Sequence, residues 1–332
     1  MNESGARDNR ARRRLGATDI EITPVGLGCM QFAGDGLLSR QMFPDIEQPA
    51  VTEIVKTAIE GGVSWFDTAE MYGRGHSERM LSTALHELGA DPADTTIATK
   101  WTPLLRTAAS IRRTISDRLT ALQGYPITLH QIHAPRGSLS PVSKQLDALA
   151  DLQEKGQIKE VGVSNFNGPQ LASAHAHLAA RGITLASDQV QVSLAHRTIE
   201  RDGTLETARR LGVTLIASSP LRSGLLTGKF HEQPELAAAV PRFRRSIGGF
   251  TPKGLARTEP LIRELRVIGA AHGVSLSVVA LSWVITFYRE TVVAIPGASK
   301  PAHARDSAAA MDLRLTQKEL TRLDEASQKI RR

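Results

Sequence analysis

The chain is predicted to fold as a single (β/α)8 TIM barrel with an N-terminal β-hairpin plug and extra C-terminal helices. Three observations predict it. Short apolar runs alternate with stretches of helical periodicity eight times, with no break in composition that would mark a second domain. Asp67, Lys100 and His133 each close one of these runs, at intervals of 33 residues. Chemistry at the C-terminal ends of consecutive strands is how such a barrel builds an active site. Aromatic residues make up only 4% of the chain, so the core must be mostly Val, Ile, Leu and Ala, as barrel interiors prefer.

Residues 1–12 read as a disordered basic tail, and 13–330 as one barrel domain. Arg13 to Pro24 alternates around Gly16 like a hairpin that would plug the barrel bottom. Strand one is Val25 to Met30, and helix one, Pro49 to Glu60, places Val51, Ile54, Val55, Ala58 and Ile59 on one face before Gly61-Gly62 ends it. Strand two ends at Asp67 and helix two spans Ser77 to Leu88; strand three ends at Lys100 and helix three spans Thr107 to Leu122. Strand four ends at His133, where Pro135 stops the run, and helix four covers Pro141 to Lys155. Strand five is Ile158 to Ser164, helix five Pro169 to Ala180, strand six Ala186 to Val192, helix six Thr204 to Leu211 and strand seven Val213 to Ala217. A long insertion reaches Pro252, and helices at Leu255 to His272 and Leu276 to Phe287 precede strand eight, Val292 to Ile295. Helices from Pro301 and Thr316 close the chain. An open doubly wound sheet would want a GxGxxG turn; Gly26-Leu27-Gly28 supplies two of the glycines and lacks the third.

The formal charge is +7, but many of the cations sit at the termini, in Arg7, Arg10, Arg12, Arg13 and Arg14 and in Arg331 and Arg332. No basic stretch is interleaved with aromatics, so solvated tails are expected rather than a nucleic-acid surface. Cys29 is the single cysteine, which excludes an intramolecular disulfide and a cysteine-based metal site. The polar start lacks the apolar stretch of a signal peptide, and no run is long enough to span a bilayer, so a cytoplasmic enzyme without membrane association is expected.

Tyr72 lies five residues after Asp67, in a loop that can carry its phenol over the mouth. A phenol titrates near 10, so at neutral pH it needs a cation beside it to exchange protons. Lys100 can supply that cation, Asp67 can hold the lysine, and His133 can orient a carbonyl. Singly, Asp67 could cap a turn and Tyr72 could anchor a loop; their places at neighbouring strand ends favour catalysis. Alternation along strand four sends His130 and His133 to opposite faces, so His130 is expected to pack outward and the pair cannot share a metal. Ser164 and Asn165 offer groups to bind a carboxamide, or else cap helix five. The run from Ser219 to Lys229 has small residues that can free backbone N–H groups for a pyrophosphate. Ile295-Pro296-Gly297-Ala298-Ser299-Lys300 opens a helix where barrels often bind phosphate.

Phe66-Asp67-Thr68-Ala69-Glu70-Met71-Tyr72-Gly73, Lys100, Gln131-Ile132-His133, Gly162-Val163-Ser164-Asn165-Phe166, Gly224-Leu225-Leu226-Thr227-Gly228-Lys229 and Ile295-Pro296-Gly297-Ala298 together resemble the aldo-keto reductase superfamily, in order and over nearly the whole chain. The resemblance implies reduction of aldehydes or ketones by NADPH. It implies Tyr72 as general acid, its pKa lowered by Lys100, which pairs with Asp67, and His133 as the residue orienting the carbonyl. Ser164, Asn165 and Gln189 would hold the nicotinamide amide. Leu221, Ser223 and Gly224 would cover the pyrophosphate, and Ser299 and Lys300 would face the 2′-phosphate. Further cofactor contacts are implied for Gly28, Met30 and Asp67, for Ser218 and Pro220, and for Ile295 and Gly297. The chain departs from the pattern at Ser218, where relatives carry an aromatic that stacks on the nicotinamide. It departs again at His303, Asp306 and Ser307 around the adenine, where Lys300 and Arg305 are placed to compensate.

Two further readings compete: a cofactor-binding, redox-sensing accessory subunit with little turnover, and a metal-dependent barrel hydrolase, which Lys100 disfavours by repelling a cation. A small-molecule carbonyl is the expected partner, with the chain a monomer or weak homo-oligomer. A small aldehyde, a sugar aldehyde or pyridoxal would all fit. Loops 31–48, 102–106 and 220–252 would choose among them, with Met30, Trp101 and Phe250 either pocket walls or plain packing.

Overall fold

Burial at consecutive positions gives the barrel strands two buried faces, and that doubled burial is what selects a parallel sheet covered by helices. The computed structural model describes residues 10–34, 45–240, 245 and 248–330. A two-stranded antiparallel hairpin, β1 (Arg13–Arg14) and β2 (Glu21–Ile22), precedes eight parallel strands that pair in chain order. These are β3 (Leu27–Gly28), β4 (Trp65–Asp67), β5 (Thr96–Trp101), β6 (Leu129–Ile132), β7 (Glu160–Ser164), β8 (Leu185–Gln191), β9 (Thr214–Ser218) and β10 (Val292–Ala294). Parallel bridges Val25↔Ala294 and Gly28↔Gly297 close β3 onto β10. The seam is tight: a Cβ on Gly28 would stand 2.9 Å from the Ile295 carbonyl oxygen.

Six helices follow β4's predecessor and successors in turn: α1 (Gln48–Glu60), α2 (His76–Glu87), α3 (Ala109–Ala121), α4 (Val142–Glu154), α5 (Gly168–Ala179) and α6 (Thr204–Leu211). Between β9 and β10 come a 3-10 segment (Arg222–Thr227), short turns at Lys229–Glu232 and Pro234–Ala239, and helices Pro252–His272 and Leu276–Phe287. Helices Pro301–Ala309 and Gln317–Lys329 end the fold. No single helix among the described residues is long and apolar enough to cross a membrane.

Outward strand residues such as Phe66, Ile97, Ile132 and Val163 pack under the helices, forming the main core. Inward residues Trp65, Ala98, Leu129, Ile216 and Val293 fill the lower barrel, closed from below by Leu15 and Ile22 of the hairpin. Above them the inward positions turn polar: Asp67, Lys100, Gln131, Ser164 and Gln189 are all buried.

Several expectations are corrected. Arg10, expected in a disordered tail, pairs with Asp312 (Nη2 to Oδ2, 2.7 Å) and donates to the Gly61 carbonyl at 3.1 Å; residues 1–9 lie outside the described residues. Arg13 is not solvated either. Its guanidinium donates to the carbonyls of Ile285, Arg289 and Val292, and burial lowers its pKa to about 10. Trp101 faces outward into the main core with its indole on Ser110, and Phe250 packs with Leu225 and Phe230 inside the insertion, so both are packing rather than pocket walls. Met30 remains 37% exposed in a 3-10 turn at the mouth.

Candidate active site

Asp67 and Lys100 point inward from adjacent strands, where the sheet register places Asp67 opposite Ala98 and so one inward step below Lys100. The Lys100 ammonium donates to Asp67 Oδ1 at 2.5 Å and to the Thr68 carbonyl at 2.7 Å. The second carboxylate oxygen accepts from Gln189 Nε2 at 2.8 Å and Gln131 Nε2 at 3.3 Å. Pairing with this many partners is what makes two buried charges tolerable. Burial pushes the Lys100 pKa down, but the charge of Asp67 and contacts with Asp67 and Tyr72 outweigh it, and the net shift is upward. Lys100 is therefore a fixed cation.

Tyr72 reaches this cation because its loop folds back on itself. Its main-chain N–H donates to Ala69 and its carbonyl accepts from Ser77, while Ser77 Oγ donates to the Cys29 carbonyl at 2.6 Å. Gly73 takes φ +65°, and a Cβ there would stand 2.0 Å from the Ala33 carbonyl oxygen, so only glycine permits the turn. The Lys100 ammonium lies 5.2 Å from the Tyr72 ring centroid, and His133 meets that ring edge-on at 5.9 Å. The four expected residues therefore converge.

Burial raises the Tyr72 pKa more than the Lys100 charge lowers it, so the net direction is upward and not down as the resemblance implied. The phenol is protonated at neutral pH, as a proton donor must be. His133 falls to about 3 through burial and then the Lys100 charge, which leaves a neutral imidazole able to donate one hydrogen bond. Its main-chain N–H donates to Trp101 at 2.9 Å, extending β6 by one residue. His130, on the outward face as expected, is buried against Arg118 and also lowered to about 3.

At the end of β7, Asn167 and Gln170 form the capping box of α5, so Ser164 and Asn165 do not cap it. Asn165 sits at φ +63° and is exposed; its amide nitrogen donates to the His133 carbonyl at 3.1 Å and to Ser164 Oγ at 2.9 Å. Its carbonyl oxygen is the group left for a ligand's amide. Ser164 is buried and donates to the Gln189 carbonyl at 2.8 Å, while Gln189 supports Asp67, so both stand behind Asn165.

The segment after β9 is a strap of left-handed backbone at Ser219, Arg222, Ser223, Gly224 and Gly228. Such conformations cost about 1 kcal/mol for each non-glycine residue, and here the Arg222 and Gly224 N–H groups donate to the Ser219 and Leu221 carbonyls at 2.8 and 3.1 Å, tying the strap to itself. Ser218 and Leu221 are half-buried in it and Pro220 is buried. Gly224 lies beside the Lys229 side chain, and the charges of Lys300 and Lys229 both act on His303. Lys300 is the N-cap residue of Pro301–Ala309, whose first turn carries no acidic residue, and Ser299 hydrogen-bonds His303 Nδ1 at 3.3 Å. The strap, the Lys229 and Lys300 side chains and a helix start thus stand in one neighbourhood, and cations beside a helix start favour an anion.

Other expected contact residues have partners within the fold. Ser307 is buried with its hydroxyl on the His303 carbonyl, and Asp306 accepts from Ser275 Oγ at 2.7 Å. Ile295 packs in the barrel interior, and Gly28 and Gly297 face each other across the closing seam. Gln131, Glu70 and Lys229 were quoted in motifs without a role. Gln131 could have been found from its place two residues before His133 on the inward face; the partners of Glu70 lie on the loop after β5 and on α3, and local sequence gives no sign of them.

A barrel whose strand ends assemble a buried Asp–Lys pair, a tyrosine and a neutral histidine defines a class of carbonyl oxidoreductases. The sequence profile described as the Aldo/keto reductase family matches residues 24–328, and the chain belongs to that family. It is 30% identical to the chloroplastic pyridoxal reductase of Arabidopsis thaliana, over 93% of this chain and 84% of that protein. It is 35% identical to an uncharacterized oxidoreductase of Mycobacterium tuberculosis, over 94% and 91% respectively. A thermostable aldo-keto reductase crystallised with the inhibitor epalrestat superposes with a TM-score of 0.75 at 30% identity, covering 95% of this chain and 99% of that one. A glycerol dehydrogenase from Gluconobacter oxydans gives 0.75 at 26% identity, covering 95% and 94%.

Proposed function

We propose that the protein reduces an aldehyde or ketone to an alcohol with NADPH. The observation that carries this is the Tyr72 phenol, protonated and placed between a fixed lysine cation and a neutral histidine. The residues fit the cofactor. Asn165 presents an amide carbonyl for the nicotinamide carboxamide, the strap Ser219–Gly224 would cover the pyrophosphate, and Lys229, Ser299, Lys300 and His303 gather positive and polar groups for the 2′-phosphate. When bound, NADPH supplies the hydride. His133 donates its hydrogen bond to the substrate oxygen and fixes the carbonyl beside Tyr72. Tyr72 Oη gives its proton to that oxygen as negative charge develops there, and Lys100 stabilises the phenolate left behind. Asp67, held by Gln131 and Gln189, keeps the lysine charged and aimed.

The test is NADPH oxidation by the purified protein across a panel of small, sugar and aryl aldehydes, including pyridoxal, which the Arabidopsis relative is named for. Turnover that collapses in Tyr72→Phe while NADPH still binds supports the reading. NADPH binding without turnover on any aldehyde would favour an accessory, redox-sensing role. Failure to bind either nicotinamide cofactor would refute both.

A further inference from the structure

Glu70 stands two residues before Tyr72, is only 8% exposed, and takes no part in the mechanism above. Its Oε1 accepts from the Thr102 main-chain N–H at 2.5 Å and pairs with Arg106, while its Oε2 faces Arg118 Nη1 at 3.4 Å. Its own main-chain N–H donates to the Lys100 carbonyl at 3.2 Å, and its carbonyl accepts from Gly75 at 2.9 Å. Arg106 carries the connection onward, because its carbonyl accepts from the Leu139 N–H at 2.9 Å and from Ser138 Oγ at 2.8 Å. One carboxylate thus links the loop bearing Tyr72 to the loop that follows Lys100 and, through Arg106, to the loop that follows His133. Burying a carboxylate costs several kcal/mol unless it is paired, and the pairing here spans three catalytic loops rather than one element.

We infer that Glu70 is a positioning residue for the carbonyl reduction: through Thr102, Arg106 and Arg118 it fixes the Tyr72 hydroxyl against Lys100 and His133. Arg118 is itself braced from behind by Glu78 at 3.2 Å, whose other oxygen accepts from Thr99 Oγ1 at 2.6 Å. The clamp therefore rests on α2, α3 and β5 and not on mobile surface groups.

The inference rests on the reductase reading, so two readouts are needed, one of them independent of turnover. In Glu70→Ala, kcat should fall by about 10- to 100-fold, the cost of misplacing a reacting group by roughly 1 Å, with KM and NADPH affinity within about twofold. Glu70→Gln keeps an acceptor for Thr102 and should recover most of that loss. In the double variant with Tyr72→Phe, the Glu70→Ala loss should vanish, since a clamp on an absent hydroxyl has nothing left to place. Independently, the Tyr72 phenol should titrate closer to the free value of about 10 once released into water, read at 295 nm as the difference from Tyr72→Phe. An unshifted titration, or a Glu70→Ala loss that persists at full size in the double variant, overturns the inference. Should Glu70→Ala fail to fold, Arg106→Met removes the same link and is judged on the same readouts. A wild-type protein without turnover would count against the reductase reading alone, because the titration still reports the hold on Tyr72.

Discussion

The two ends of the site are made of different material. On β4, β5 and β6 the working groups are side chains, buried and fixed by short bonds such as Lys100 to Asp67 at 2.5 Å. After β9 the proposed cofactor-binding groups lie in a strap with left-handed backbone at Ser219, Arg222, Ser223 and Gly224, with Lys229 and Lys300 near it. The difference follows from the tasks. Proton transfer needs particular pKa values held by particular neighbours, whereas a phosphate is satisfied by any convergent set of N–H donors and positive charge. Substitutions at the first end should therefore act on rate and on stability, and those at the second on affinity.

The sharpest test of that division is Tyr72→Phe, expected to lower kcat about 10³-fold with NADPH affinity unchanged, as measured by steady-state kinetics and fluorescence titration. An equal loss of affinity would blur the distinction. Lys100→Met should leave the Asp67 carboxylate buried without its cation and destabilise the fold by about 3 kcal/mol in urea denaturation, while Lys300→Met, at an exposed position, should cost almost none.

The pH dependence separates the buried end further. Burial holds His130 near 3 against its ordinary 6.5, so the unfolded chain binds a proton that the folded one refuses. Its contribution is intact above 6.5 and is lost as pH falls from 6.5 toward 3, at up to about 1.4 kcal/mol per pH unit. Replacing it in His130→Gln should flatten that acid limb in denaturation curves collected from pH 7 to 4. The smallest effect belongs to the cofactor end: Lys300→Ala should raise the Kd for NADPH about tenfold and leave that for NADH unchanged.

The same division governed what could be read from the chain. Asp67, Lys100 and His133 were legible because strand alternation and a constant spacing of 33 residues put them on the inward face at successive strand ends. The capping alternative for Ser164 and Asn165 failed because the chain runs on to Asn167 before α5 starts, a matter of loop length that residue type does not reveal. The direction of the Tyr72 shift was missed for a similar reason. The sequence shows that a lysine is near, but only packing shows that burial outweighs it. The strap was legible as small residues, yet not as four non-glycine or glycine positions at positive φ in a row of six, since Arg222 and Ser223 have no intrinsic preference for that conformation. The roles of Glu70 and Gln131 depend on which loops and strands adjoin them, which closure of the barrel decides.

The most direct test of the account is the fate of the hydride. An aldehyde reduced by the enzyme with NADPH dideuterated at the nicotinamide C4 should yield, by mass spectrometry, an alcohol with one deuterium on the carbinol carbon, in amounts that fall with Tyr72→Phe. An alcohol free of deuterium, or formed at the same rate without the Tyr72 hydroxyl, would contradict it.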